Sequence, residues 1–281
     1  MTQREPALLY YHLHEDVVAF STTRQGGFST GNYAEFNINR FCGDDENSIR
    51  KNRSILCQLL DITDERLIMP HQVHLTKTYQ IDEAFLACSA EERLQRLEGI
   101  DAVMTSVKGI CIGVSTADCI PLLVYDRQRH IAAAIHAGWR GTVQRIAEQT
   151  IIDMKAAYGS EAEDLCVQIG PGISLDSFEV GDEVYEAFVD SGFNMDNISH
   201  HNGKWHIDLL ECNRQQLIAA GVPPTGISIA NICTVKRSET FFSARRLGIQ
   251  SGRIFSGIMI LRKEPCPHCR HQAVAVEPPR N

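Results

Sequence analysis

Two short segments hold the densest chemistry in the chain, Thr116-Ala117-Asp118-Cys119 and His136-Ala137-Gly138-Trp139-Arg140-Gly141. A thiolate and an imidazole brought together either share a transition metal or act as a nucleophile with its base. Asp118 interrupts an apolar run, where a carboxylate costs several kcal/mol unless it is paired. His136 ends a second apolar run where strand gives way to helix, a common location for active sites. A third nitrogen or sulfur donor would favour metal over nucleophile. His71 and His74 in Pro70-His71-Gln72-Val73-His74 are the candidates. On a strand, residues three apart face opposite ways, so one of the two joins the site and spacing does not say which.

Elements must bring these side chains together. Residues 110–115, 120–125 and 130–136 are apolar on both faces, as buried strands are. Asp126-Arg127-Gln128-Arg129 is expected to turn between the last two. That turn would set Tyr125 against His130 and Cys119 against His136, with Cβ atoms about 4.5–5.5 Å apart on one face. A slip of one residue would send the two side chains to opposite faces. Residues 67–79 and 102–106 read as strands. Residues 44–60 read as a helix, with Asp44 and Asp45 as cap candidates. A helix over 142–158 follows the His136 junction. Further on, 182–191 and 209–220 read as helices, and 227–232, 240–242 and 253–261 as strands. Strands run in groups between separate helices, which predicts an α+β fold of mixed β-sheets layered with helices. One domain over residues 1–263 and a polar tail over 264–281 complete the expectation.

The chain has 281 residues, with 27 Lys+Arg against 35 Asp+Glu and a formal net charge of -8. Nucleic acid is bound by neutralising phosphates with clustered basic residues, and no long basic run exists, so no nucleic-acid partner is expected. Arginines around a pocket would still suit a small anionic substrate. No apolar stretch is long enough for a membrane span, and the N-terminus lacks an apolar signal region. The cytoplasm is the expected compartment, with most of the 10 cysteines buried as small hydrophobes. A chain of this size buries about three quarters of its unfolded surface, so a metal would serve chemistry more than stability.

Taken together, the motifs resemble the YfiH family, long labelled multicopper polyphenol oxidase or laccase-domain proteins. The resemblance rests on Thr22-Thr23-Arg24-Gln25-Gly26-Gly27-Phe28-Ser29, Phe36-Asn37-Ile38, Asn52-Arg53 and Gln72-Val73-His74. The Asp118-Cys119 and His136 segments, Gly170-Pro171-Gly172-Ile173, Phe178-Glu179-Val180-Gly181 and Phe241-Phe242-Ser243 with Arg245-Arg246 continue it. It spans about residues 21–261. The fold it implies is likened to a cysteine-hydrolase toxin domain.

The resemblance implies metal ligands at His74, Cys119 and His136, choosing His74 over His71, and one zinc with an open fourth position. Structural zinc sites are closed by four protein ligands and catalytic ones are not. Copper ranks behind zinc, because a multicopper oxidase needs a histidine-rich cluster besides a His₂Cys site. The implied activity is phosphorolysis of adenosine, inosine and methylthioadenosine, with deamination of adenosine. Cys119, Asp118 and Glu179 are the catalytic candidates, the two carboxylates as proton carriers. Arg140 and Arg245, with Arg24 behind them and Asn37 in the same motif set, are the substrate and phosphate candidates. Two positions depart from the family pattern, Leu75 after His74 and Ala244 before Arg245. The competing reading is a cysteine hydrolase or amidase with Cys119 as nucleophile, since some relatives are named peptidoglycan editing factors. A non-enzymatic binding protein ranks third. Monomer and homodimer are both compatible. The tail residues Cys266, His268, Cys269 and His271 form a possible second metal half-site.

Overall fold

The computed structural model describes residues 5–262, so the cysteine- and histidine-bearing tail lies outside the described residues. A five-stranded sheet is ordered β1 (Leu8–Tyr11), β2 (Val17–Thr22), β14 (Ile254–Ile260), β6 (Cys111–Thr116), β3 (Leu67–Ile68). A six-stranded sheet is ordered β13 (Ile227–Ile229), β9 (Leu165–Ile169), β7 (Ile120–Asp126), β8 (Ile131–Ala137), β5 (Ala102–Thr105), β4 (Thr78–Ile81). A small third sheet is ordered β10 (Glu179–Val180), β12 (Lys204–Ile207), β11 (Ser199–Asn202). The two large sheets contain both parallel and antiparallel pairs, in agreement with the predicted mixed α+β architecture.

Alternation along the strands explains the layering, because successive side chains leave a strand on opposite faces. Val17, Ala19, Ile112, Val114, Ile258 and Ile260 of the first sheet meet Val103, Leu123, Tyr125, Ala132 and Ala134 of the second in one core between them. The intervening residues Val18, Phe20, Cys111, Phe255 and Met259 pack outward against Leu56, Cys57 and Leu60 of the helix Glu46–Leu60. On the far side, Leu122, Val124, Ala133, Ile135, Val167 and Ile169 pack on the helices Ile146–Tyr158 and Leu209–Ala219. The order of layers is helix, sheet, sheet, helices. The chain passes directly from the first large sheet to the second over Ala117-Asp118-Cys119, between β6 and β7.

Four expectations need correction. The β7–β8 hairpin turns one residue later than expected. Asp126 stays in the strand opposite Ile131, and its Oδ1 accepts the Gln128 and Arg129 amides at 2.9 Å. Tyr125 therefore faces Ala132, and Pro121, not Cys119, faces His136. Residues 67–79 are not one strand. Only Leu67–Ile68 and Thr78–Ile81 pair, and the histidines lie on the loop between them. Expected helix 142–158 is divided into Trp139–Val143 and Ile146–Tyr158 by Arg145, which holds a left-handed φ of 64°. Residues 240–242 also form no strand. Phe241 and Phe242 are buried against Ala117 and Ile254 in a separate cluster.

Candidate metal centre

Three neighbouring strands deliver the buried part of the site. The β5–β8 ladder pairs Ala102 with Ile135, and the His136 amide donates to the Asp101 carbonyl at 2.8 Å. His136 shares the inner face of β8 with Ala132 and Ala134, and Pro121 lies opposite on β7. Cys119 lies two residues before Pro121, diagonal to His136. The late turn preserves parity, so cysteine and histidine still share a face. His74 reaches the same point from the loop, in a left-handed conformation with φ of 64°. The donor atoms of His74, Cys119 and His136 all lie within 4.8 Å of one another, and no fourth His, Cys, Asp or Glu joins them among the described residues.

The surroundings fit an ion. A Cβ added at Gly138 would stand 2.8 Å from His74 Cδ2, 3.1 Å from Cys119 Sγ and 3.7 Å from His136 Nε2, so the missing side chain keeps the space between the donors clear. His136 is buried, Cys119 half-buried and His74 exposed, so the donor set runs from the core to the surface. Burial alone would raise the Cys119 thiol, but His136 and His74 outweigh it and hold the group at about 6. Burial likewise works against the His136 imidazolium, but Cys119 and Asp101 raise it to about 9. Without metal the pair is a thiolate facing an imidazolium, and a metal ion replaces the proton between them.

The matched family covers residues 18–261 and is described as multi-copper polyphenol oxidoreductase laccase. A purine nucleoside phosphorylase of Bacteroides thetaiotaomicron is 49% identical over 88% of this chain and 93% of its own length. The chain belongs to this family. An adenosine deaminase, RL5, from an unknown prokaryotic organism is 44% identical over 87% of this chain and 94% of its own. The crystal structure of a hypothetical YfiH protein of Bacillus licheniformis superposes with a TM-score of 0.85, at 27% identity, over 92% of this chain and 97% of that one. Three of the motifs identified above carry His74, Cys119 and His136, the residues that lie together.

Asp118 adopts φ of 87° at the passage between sheets. Its Oδ1 accepts from Thr234 Oγ1 and its Oδ2 from the Arg245 amide, both at 2.7 Å. Its carbonyl accepts the Ile173 amide at 2.8 Å. Arg245 is exposed, lies over the Phe178 ring and donates through both terminal nitrogens to the Glu179 carbonyl at 3.0 and 3.1 Å. The Glu179 carboxylate is exposed and pairs with Lys204 at 2.7 Å. Arg140 is exposed over Trp139 at 4.3 Å and has no carboxylate partner among the described residues. Arg24 donates to the carbonyls of Ala34 and Ser238, both at 2.8 Å. Asn37 is fully buried, donating to Asp44 Oδ2 at 2.8 Å and accepting the Asn39 and Arg253 amides. His71 is turned from the cluster, bonded to Glu98 at 2.8 Å and stacked on Phe41.

Sequence reasoning passed over Asp101 and Gln72. Gln72 is bound through both side-chain ends to the Ser115 backbone, at 2.8 and 2.7 Å, fixing the histidine loop to β6. Asp101 is fully buried and accepts from His136 Nδ1 at 2.8 Å and from the loop amides of Val73, His74 and Leu75. Its sequence signal is no more than an acid immediately before the apolar run Ala102-Val103-Met104.

Proposed function

We propose that this chain is a zinc-dependent purine nucleoside phosphorylase that also deaminates adenosine, acting in the cytoplasm on small molecules. The observation that carries the reading is the three-donor cradle, open on one side, in a chain whose similar relatives bear those two names. Zinc is the assigned metal because two imidazoles, one thiolate and a vacant fourth direction are a catalytic zinc ligand set. A His₂Cys set also suits a single copper. A multicopper oxidase needs further histidine-rich sites, and the described residues offer one group of three or more such donors.

When bound, zinc supplies Lewis acidity at the open side of the cradle. In phosphorolysis a phosphate oxygen bonds to ribose C1′ as the bond to the purine nitrogen breaks, and the departing base takes up a proton. Arg140 and Arg245 are assigned to the phosphate, since exposed guanidinium groups match its oxygens in pairs. The exposed apolar side chains of Val73 and Leu75 flank His74 and offer contact to a planar base. Asp118 and Glu179 are assigned to proton movement. Asp118 keeps lone pairs beyond its bonds from Thr234 and Arg245, and Glu179 beyond its pairing with Lys204, to take that proton.

Elemental analysis of protein purified without added metal, with assays for phosphate-dependent release of adenine and hypoxanthine, tests this reading. The expected result is stoichiometric zinc and both releases, with metal and turnover lost together in Cys119→Ala. One observation favours a second reading. Cys119, His136 and Asp101 are linked as nucleophile, base and orienting acid are in a cysteine hydrolase. Undiminished turnover of a substrate amide by chelator-treated protein, abolished by Cys119→Ala, would establish that reading and overturn the first.

A further inference from the structure

We infer that Asp101 is the positioning residue that sets two of the three metal ligands at once, and that only a carboxylate can do so. The inference rests on the metal reading of the cradle and goes on to say what builds it. Asp101 Oδ1 accepts from the His74 amide at 2.9 Å and from His136 Nδ1 at 2.8 Å. Oδ2 accepts from the Val73 amide at 3.2 Å and the Leu75 amide at 2.9 Å. All four partners are presented as donors, and the carboxylate is fully buried. The bond to Nδ1 fixes the tautomer that leaves Nε2 facing Cys119 and the metal position. The three amide bonds hold the loop turned about His74, whose left-handed φ an L-residue adopts only when its surroundings compel it.

The isosteric amide exposes the requirement. In Asp101→Asn the carbonyl oxygen replaces one carboxylate oxygen and an NH₂ the other. If the NH₂ faces Val73 and Leu75, two amide donors lose their acceptor in a buried place and the His74 loop is released. If it faces His74 and His136, the imidazole must accept at Nδ1 and carry its proton on Nε2, the atom the ion needs. Both orientations damage the ligand set, by different routes. Losing a partner of this kind typically weakens metal binding about 10–100-fold.

The test measures zinc affinity by competition with a chromogenic chelator in wild type and Asp101→Asn. It is accompanied by absorption spectra of the cobalt-substituted proteins and thermal melts of the metal-free ones. The expected result is zinc binding weakened about 10–100-fold and an altered cobalt spectrum, with circular dichroism retained. Equal affinity and an unchanged cobalt spectrum would overturn the assignment. So would a loss confined to the melting temperature, which marks a residue that only holds the fold. If the Asn variant does not fold, ¹⁵N spectra of the zinc-loaded wild type decide: protonated Nδ1 and metallated Nε2 at His136 support it, and metal on Nδ1 rejects it. Wild type that takes up no ion sinks the metal reading and this inference with it. Wild type that binds zinc beside an unaffected Asn variant sinks this inference alone.

Discussion

Gly138 is glycine because of space, not backbone freedom. Its φ of -71° and ψ of 168° suit any residue, yet a Cβ there would intrude among all three ligand side chains. Gly138→Ala is therefore expected to fold as wild type by circular dichroism and to lose stoichiometric zinc; retained zinc would refute the fit. Cys119 yields a second expectation. In chelator-treated protein its alkylation by iodoacetamide should rise through about pH 6, while Cys57, whose thiol burial pushes up to about 11, stays inert. Labelling that rises only near the ordinary thiol value of 9.0 would contradict the pairing with His136. The same pair makes metal-free stability depend on pH. A depressed thiol stabilises fully above its unfolded value of 9.0 and loses that as pH falls through about 6. A raised imidazolium stabilises fully below 6.5 and loses that as pH rises through about 9. The melting temperature of the metal-free protein, less that of its Cys119→Ala variant, should thus be largest between these limits.

Elements whose pattern arises within their own sequence were legible. The helix Glu46–Leu60 is one: Asp45 caps it by accepting the Ser48 amide at 2.8 Å. Asp45→Ala should lower the urea unfolding midpoint, and no change in midpoint would show the cap to be idle. Elements fixed from a distance were not legible. Residues 69–77 carry an extended-looking pattern, but Ser115, through Gln72, and Asp101 hold the loop from two other segments and turn it out of any ladder. The hairpin was misplaced because Asp126, read as a turn residue, is buried and spends its Oδ1 on the amides beyond it. The grouping of His74, Cys119 and His136 was reachable by family likeness, and the residues through their spacing left His71 and His74 undecided. Asp101 went unread because an acid before a strand looks ordinary until its four donors are seen.

At the scale of the molecule, the cores between and outside the sheets do not involve the ligands. Chelation should leave far-UV circular dichroism intact, and a coil-like spectrum would contradict this layering. Restoring zinc at a hundredfold excess over its dissociation constant should add about 2.7 kcal/mol of stability. Leu123, fully buried between the sheets, gives the contrast: Leu123→Ala should cost about 2–5 kcal/mol with or without zinc, measured by urea unfolding. The ligands draw on both layers. Cys119 stands on the link by which the chain leaves one sheet for the other, and His136 belongs wholly to the second sheet. His74 hangs from a loop anchored through Gln72 to the first and through Asp101 to the second. An ion gripped by all three works as a rivet through the two sheets at one end of their seam. Amide hydrogens of Val114–Thr116 and Ile135–Ala137 should then exchange more slowly in step as zinc is added, while those at the far end of the same strands keep their pace.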